Sequence, residues 1–221
     1  MNLRSILVLA RADLSLNRTP GLLYAGAAAA GAVIACTPTG PLRGVGVSLV
    51  MCVLIGLCFH LPIVTVFQEV ARGTRAFTLS LPVTPGEYAA GKLAAGALLF
   101  LLPAGAAVLI ALLMPASRRL FPTPMVLLAL LGGLIFFMQN IGIALVTESM
   151  GVSMTILLGQ IFVLGNGIPR LGPHLPGWFR FWEELHTGGP WREAAFALLV
   201  LELVLTVAVV LHLMGRKRSF V

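Results

Sequence analysis

Apolar and polar positions alternate along this chain in blocks rather than residue by residue. Six stretches are almost wholly apolar, at about 20–37, 44–67, 91–114, 124–147, 151–168 and 194–214, and polar residues gather in the breaks between them. A helix needs roughly 20 mostly apolar residues to cross the hydrocarbon layer of a bilayer. The pattern therefore predicts six membrane-spanning helices, of which the first and fifth are the shortest. The expected fold is all-α and polytopic, a single transmembrane domain over residues 1–221 without a convincing internal repeat. An even number of spans puts both termini on one side.

Ahead of the first span, residues 1–19 carry a different pattern. At about 100° per residue, Arg4, Arg11, Ser15 and Arg18 fall in one narrow sector, while Leu3, Ile6, Leu7, Ala10 and Leu14 spread over much of the rest. This predicts an amphipathic helix lying at the membrane interface with its arginines among the headgroups; the competing reading is a simple extension of the first span. Residues 1–20 lack the unbroken apolar core of a cleavable signal peptide.

Composition agrees with a lipid environment. The chain is 58% hydrophobic and only 10% charged, with a mean hydropathy of +0.99, whereas soluble domains are about a quarter charged. No stretch is left over for a second, soluble domain. A pI of about 10.4 raises nucleic acid as a partner, but the basic residues are scattered over segment ends, with no run beyond Arg216-Lys217-Arg218, so nucleic acid is not expected. They serve orientation better. With the N-terminus inside, Arg4, Arg11, Arg18, Arg72, Arg75, Lys92, Arg216, Lys217 and Arg218 are cytoplasmic, against Arg43, Arg118, Arg119, Arg170, Arg180 and Arg192 outside. That bias predicts cytoplasmic termini. Cys36, Cys52 and Cys58 have no metal-ligand spacing and read as small hydrophobes; no metal site and no disulfide framework are expected.

Gly86-Glu-Tyr-Ala-Ala-Gly91-Lys92 is most of a phosphate-binding loop. A genuine one follows a buried strand and ends in Ser or Thr, whose hydroxyl meets magnesium. Here Leu93 follows the lysine, Pro82 and Pro85 precede the loop, and a membrane span comes next. The chain is not read as an ATPase. Instead, Thr84 is placed to cap a helix with Pro85 at its first position and Glu87 completing a capping box. That helix would run through Tyr88 into the third span, with the Lys92 ammonium reaching to the lipid phosphates. Residues 68–92 thus form a compact cytoplasmic helix-turn-helix between spans two and three, suited to docking another protein.

The same loop carries a resemblance. Glu69-x-x-Arg72-Gly73-Thr74, then Phe77-Thr78-Leu79-Ser80-Leu81-Pro82-Val83-Thr84, then Glu87-Tyr88 and Gly91-Lys92, resembles the first cytoplasmic loop of ABC-2 type transporter permeases. The likeness is densest over 68–96, and the six spans and amphipathic start match more loosely along the whole chain. It implies the type V exporter-like permease architecture, in a bacterial or archaeal cytoplasmic membrane. The loop would act as a coupling helix on a separate ATP-binding cassette subunit, through Glu69, Arg72, Gly73, Thr74, Phe77, Leu81, Pro82 and Glu87. Two such ATPase subunits would hold ATP and Mg, with no cofactor in this chain, and would work with a second copy of the permease or a related one. Cargo would pass through a cavity lined by spans one, two and five, and few charges favour an amphipathic or lipid-like cargo. No residue identifies it.

Four polar residues inside spans are candidates for the cargo pathway. Glu202 lies in LLVLELVLTVAVV, where a carboxylate costs about 2.5–3.5 kcal/mol on insertion scales; it reads either as a cation- or proton-handling group or as a protonated bridge between helices. His60 stands beside Pro62 and reads as a packing residue meeting the carbonyl that the proline frees, or as part of the pathway. Gln139 and Asn140 read first as helix bridges. Gly26, Gly31, Gly91 and Gly96 give small surfaces for close helix approach and read first as packing features, with a dimer contact along one of them as the second reading. Residues 169–192 form an outer loop rich in Gly, Pro and aromatics. Residues 177–186 are expected to make a short interfacial or re-entrant helix, either an aromatic anchor or an element of the exit.

The leading expectation is an export permease with no catalytic residue. The alternatives are an intramembrane enzyme, for which His60, Glu148 and Glu202 lack any supporting motif, and a haem-export or cytochrome-maturation assembly subunit sharing the same plan.

Overall fold

The computed structural model describes residues 2–37, 40–71, 83–114, 123–163, 166, 170, 172–174 and 177–216. Among these residues the chain is all-helical, with no strand. The elements are α1 (Leu3–Leu16), α2 (Arg18–Ala35), α3 (Gly40–Pro62) running through a π-helical turn (Ile63–Phe67) into α4 (Gln68–Ala71), α5 (Pro85–Leu113), α6 (Thr123–Thr147), α7 (Met150–Phe162), a 3-10 turn (Gly172–His174), α8 (Trp178–Thr187) and α9 (Pro190–Arg216).

Four helices are long and apolar enough to cross a membrane: Gly40–Phe67, Pro85–Leu113, Thr123–Thr147 and Pro190–Arg216, of 28, 29, 25 and 27 residues. This is the makeup of a multi-pass helical membrane protein. The other two expected spans are helical but fall short of that standard. The stretch expected at 20–37 is an 18-residue helix of mostly Ala and Gly that begins at Arg18. The one expected at 151–168 gives, among the described residues, 13 in α7, about 20 Å at 1.5 Å per residue; residues 164, 165, 167 and 168 lie outside them.

The amphipathic start is a helix of its own. Asn2 caps it by accepting from the Arg4 amide, and it ends at Asn17, whose side-chain amide donates to the Asp13 carbonyl at 2.9 Å. Arg4, Arg11, Ser15 and Arg18 are exposed as the pattern predicts, with Leu3, Leu7 and Val8 exposed beside them; Ala10 and Asp13 are buried.

The core is built on α5. Helices α1 and α2 pack on one side of it, and α6 and α9 on the other. Tyr88, Leu57, Leu61, Phe137, Ile141, Leu145 and Met214 are all fully buried. Phe100 and Phe137 stack with centroids 5.0 Å apart, a geometry that adds to simple area burial. Glycines set the close approaches. A Cβ on Gly46 would meet the Ala35 amide nitrogen and lie 2.6 Å from the Gly31 carbonyl, so α2 and α3 touch backbone to backbone. Gly96 lies under Ile141 and Phe137, and Gly142 under Val210. Of the glycines singled out in the sequence, Gly31, Gly91 and Gly96 are spent on contacts within the chain, while Gly26 has nothing within 4 Å.

Gly46→Ala should therefore force α2 off α3, lowering stability by about 1–3 kcal/mol as overpacking does. Gly26→Ala should be neutral or raise it by up to about 1 kcal/mol through helix propensity. Thermal unfolding of both purified variants in the same detergent checks the contrast.

Candidate functional site

The flanks of the 68–92 loop are built by two local devices. On one side, α3 runs past Pro62 into the π turn, closed by the Gln68 amide donating to the Ile63 carbonyl five residues back. A π turn inserts an extra residue, which rotates the next stretch of helix by roughly 100°. Thr65 steadies it by donating its hydroxyl to the Leu61 carbonyl at 2.6 Å. After it comes Glu69, its carboxylate against α5. On the other side, Thr84 caps α5 as expected: its hydroxyl accepts from the Glu87 amide at 3.3 Å, and Glu87 Oε2 accepts from the Thr84 amide at 3.0 Å. The other Glu87 oxygen accepts from the Asn2 backbone amide, which pins the start of α1 to the start of α5.

Between these devices lies a buried ionic cluster. Lys92 Nζ donates to Asp13 Oδ1 at 2.8 Å and to Glu69 Oε1 at 2.5 Å, and the Tyr88 hydroxyl donates to Glu69 Oε2 at 2.7 Å. The ammonium also stands 5.5 Å from the centre of the Tyr88 ring, within cation–π range. Tyr88 and Lys92 are one turn apart on α5 and so share a face. Helix α1 reaches them because Gly91 has no side chain: a Cβ there would lie 2.9 Å from Leu9 Cβ and 3.4 Å from the Ile6 carbonyl.

This corrects the expectation for Lys92. Its side chain is only 5% exposed, with Asp13 at 9% and Glu69 at 21%, so the ammonium is held by two carboxylates rather than extended to lipid phosphates. Burial pushes the Asp13 carboxyl above its ordinary range, with Lys92 pulling the other way. Glu87 is also turned inward, at 6% exposure. The remaining loop residues singled out in the sequence, Arg72, Gly73, Thr74, Phe77, Leu81 and Pro82, lie outside the described residues.

The four pathway candidates divide. The His60 ring nitrogen Nδ1 is 3.0 Å from the Tyr24 hydroxyl, so it ties α3 to α2 instead of meeting the carbonyl freed by Pro62. Asn140 is 1% exposed and donates to the Phe136 carbonyl of its own helix at 2.7 Å, which places it in the packed interior. Gln139 and Glu202 come together: Gln139 Nε2 donates to Glu202 Oε1 at 2.8 Å, and Gln160 Nε2 donates to Gln139 Oε1 at 3.2 Å. This relay spans α9, α6 and α7 and lines an apolar groove of about 740 Å3. A second, larger apolar hollow of about 810 Å3 lies between α2, α3, α5 and α6, and Ile161 of α7 reaches it.

The expected helix over 177–186 is α8, the most strongly amphipathic of the described helices. It packs on α9 and α6. Arg180 donates to Glu184 Oε1 at 2.8 Å and holds that carboxyl below its ordinary range, while Glu184 Oε2 accepts from the Trp191 amide at 3.3 Å.

Sequence reasoning passed over Asp13, Tyr88 and Gln160 as partners. Asp13 was detectable: it is a charge on the apolar side of an amphipathic helix, between Ile6 and Leu9 in projection. Among the described residues no three His, Cys, Asp or Glu side chains group as metal ligands. Compared with known proteins, the chain matches no family model, and it matches no curated protein.

Removing one member of the cluster leaves its partners as uncompensated buried charge. Lys92→Met should cost about 3–5 kcal/mol of stability. The triple variant Lys92→Met, Asp13→Asn, Glu69→Gln should recover most of that loss. Unfolding of the two variants in detergent, read against the wild type, checks both values.

Proposed function

We propose that the chain is the membrane subunit of an ATP-binding cassette exporter of the ABC-2 kind, with six spans and cytoplasmic termini in a bacterial or archaeal cytoplasmic membrane. It moves an amphipathic or hydrophobic cargo outward. ATP and Mg are handled by two copies of a separate ATPase subunit, and a second permease copy or a related chain completes the passage. The loop resemblance motivates this reading, and one observation carries it. The Asp13–Lys92–Glu69–Tyr88 cluster clamps both flanks of the 72–82 segment to each other and to α1. A coupling element needs anchored flanks, because a push on a segment whose ends slide is dissipated locally. Here a push on 72–82 is borne by α3, α5 and α1 together.

The span count has support of its own. Helix α2 packs on α3 at Gly31 and on α5 at Gly21. A span in that setting calls for small residues rather than strongly apolar ones, which accounts for its low hydropathy.

Purification of the tagged chain from its native membrane in mild detergent should bring down an ATP-binding subunit in stoichiometric amount. Arg72→Glu should release it. Tyr88→Phe should keep it bound while lowering coupled ATP hydrolysis, since the hydroxyl's bond to a carboxylate is worth about 1.5–3 kcal/mol. Absence of any nucleotide-binding partner in several mild detergents would overturn the reading.

A further inference from the structure

The groove between α6, α7 and α9 differs from an ordinary lipid-facing crevice in what stands in it. Helices α6 and α9 pack together where Val210 lies against Gly142. Two turns away along α9, Glu202 holds Gln139 in an opening walled by Leu201, Leu205, Ile143 and Ile156. Glu202 is exposed and lies close to the middle of the 27-residue α9, so its carboxylate is about 18 Å or more from either helix end at 1.5 Å per residue. An exposed carboxylate at that depth calls for a cation.

The hydrogen bonds make the need more specific. Gln139 turns its amide nitrogen to Glu202 and its oxygen to Gln160, and Gln160 donates to it, the only direction open to the relay when Glu202 is ionised, since an ionised carboxylate accepts and does not donate. The relay ends with acceptors in surplus. Glu202 Oε1 is bonded within it, which leaves the second carboxylate oxygen, and Gln160 Oε1 is buried with no hydrogen-bond partner among the described residues. A ligand that completes the site brings positive charge and N–H donors on an apolar body.

We propose that this groove binds a lipophilic primary amine, its ammonium on Glu202 and its alkyl chain along the apolar wall. The depth of Glu202 argues for an amine without a phosphate. A bilayer phospholipid would have to draw its phosphate into hydrocarbon to place its amine there, whereas a simple alkylamine carries no such charge. That the amine is cargo rests on the permease reading; that it binds does not.

The test is saturable binding of radiolabelled dodecylamine to the purified full chain in phosphatidylcholine nanodiscs, with no ATPase present. One site per chain is expected. Glu202→Gln should weaken it at least tenfold, and Ile156→Trp, which fills the groove without touching the charge, should abolish it, both at unchanged melting temperature. Dodecanol and dodecyltrimethylammonium, lacking charge and N–H donors respectively, should compete poorly. Equal binding by Glu202→Gln or by Ile156→Trp, or equal competition by dodecanol, would overturn the proposal. So would loss of the site when phosphatidylethanolamine replaces phosphatidylcholine, since the occupant would then be a bilayer lipid. A missing ATPase partner would leave the binding result standing, so the two readings fail separately.

Discussion

Lys92 is a charge taken almost wholly out of solvent, and the surrounding helices are placed where its neutralisation requires them. A buried ammonium is tolerated only with its donors satisfied and its charge opposed. Lys92 draws Asp13 from α1 and Glu69 from the end of the α3–α4 run, and Tyr88 closes the second oxygen of Glu69. Two distant parts of the sequence are thereby fixed to the first turns of α5. The Gly91 contact with α1, the capping box at Thr84 and the Glu87 bond to Asn2 gather at the same end. The π turn after Pro62 belongs to the same arrangement, because it sets the rotation with which Glu69 arrives.

From this joint a continuous line of packing runs toward the groove. Gly96, one turn beyond Lys92, receives Ile141 and Phe137 of α6, and Phe100 stacks on Phe137. Gln139, on the same helix, faces the other way and holds Glu202. These two polar features are thus of opposite kinds. One is buried and has its charges opposed; the other is open, with acceptors in excess. In the proposed exporter the first would take up force from the ATPase and the second would meet a cationic amphiphile. Helix α9 suits the second role, since its apolar window is only 6% buried against a third or more in the other three long helices.

Much of this was legible along the chain, and the reasons are local. The long apolar blocks, the Thr84–Glu87 cap and the amphipathic periodicities of α1 and α8 each depend on residues within a turn or two of one another. Residue spacing alone determined them, because helix geometry converts spacing directly into faces and ends. The short helices were less legible. The stretch at 20–37 is Ala- and Gly-rich because α2 lies against two neighbours, and hydropathy measures lipid contact rather than helix contact.

What only the tertiary structure decided is which polar groups meet. Lys92 next to a membrane end looks like a residue bound for the headgroups until α1 folds over Gly91 with Asp13 on its inner face. Gln139 and Asn140 are adjacent in sequence, yet one bridges to Glu202 and the other is sealed inside, because neighbours on a helix point about 100° apart. Glu202 is 63 residues from Gln139, and no local spacing relates them. The sequence by itself determined a helical membrane protein with a capped, proline-bounded loop. Long-range contact decided its buried cluster and its open carboxylate, since the cost of an unpaired charge depends on what the fold brings beside it.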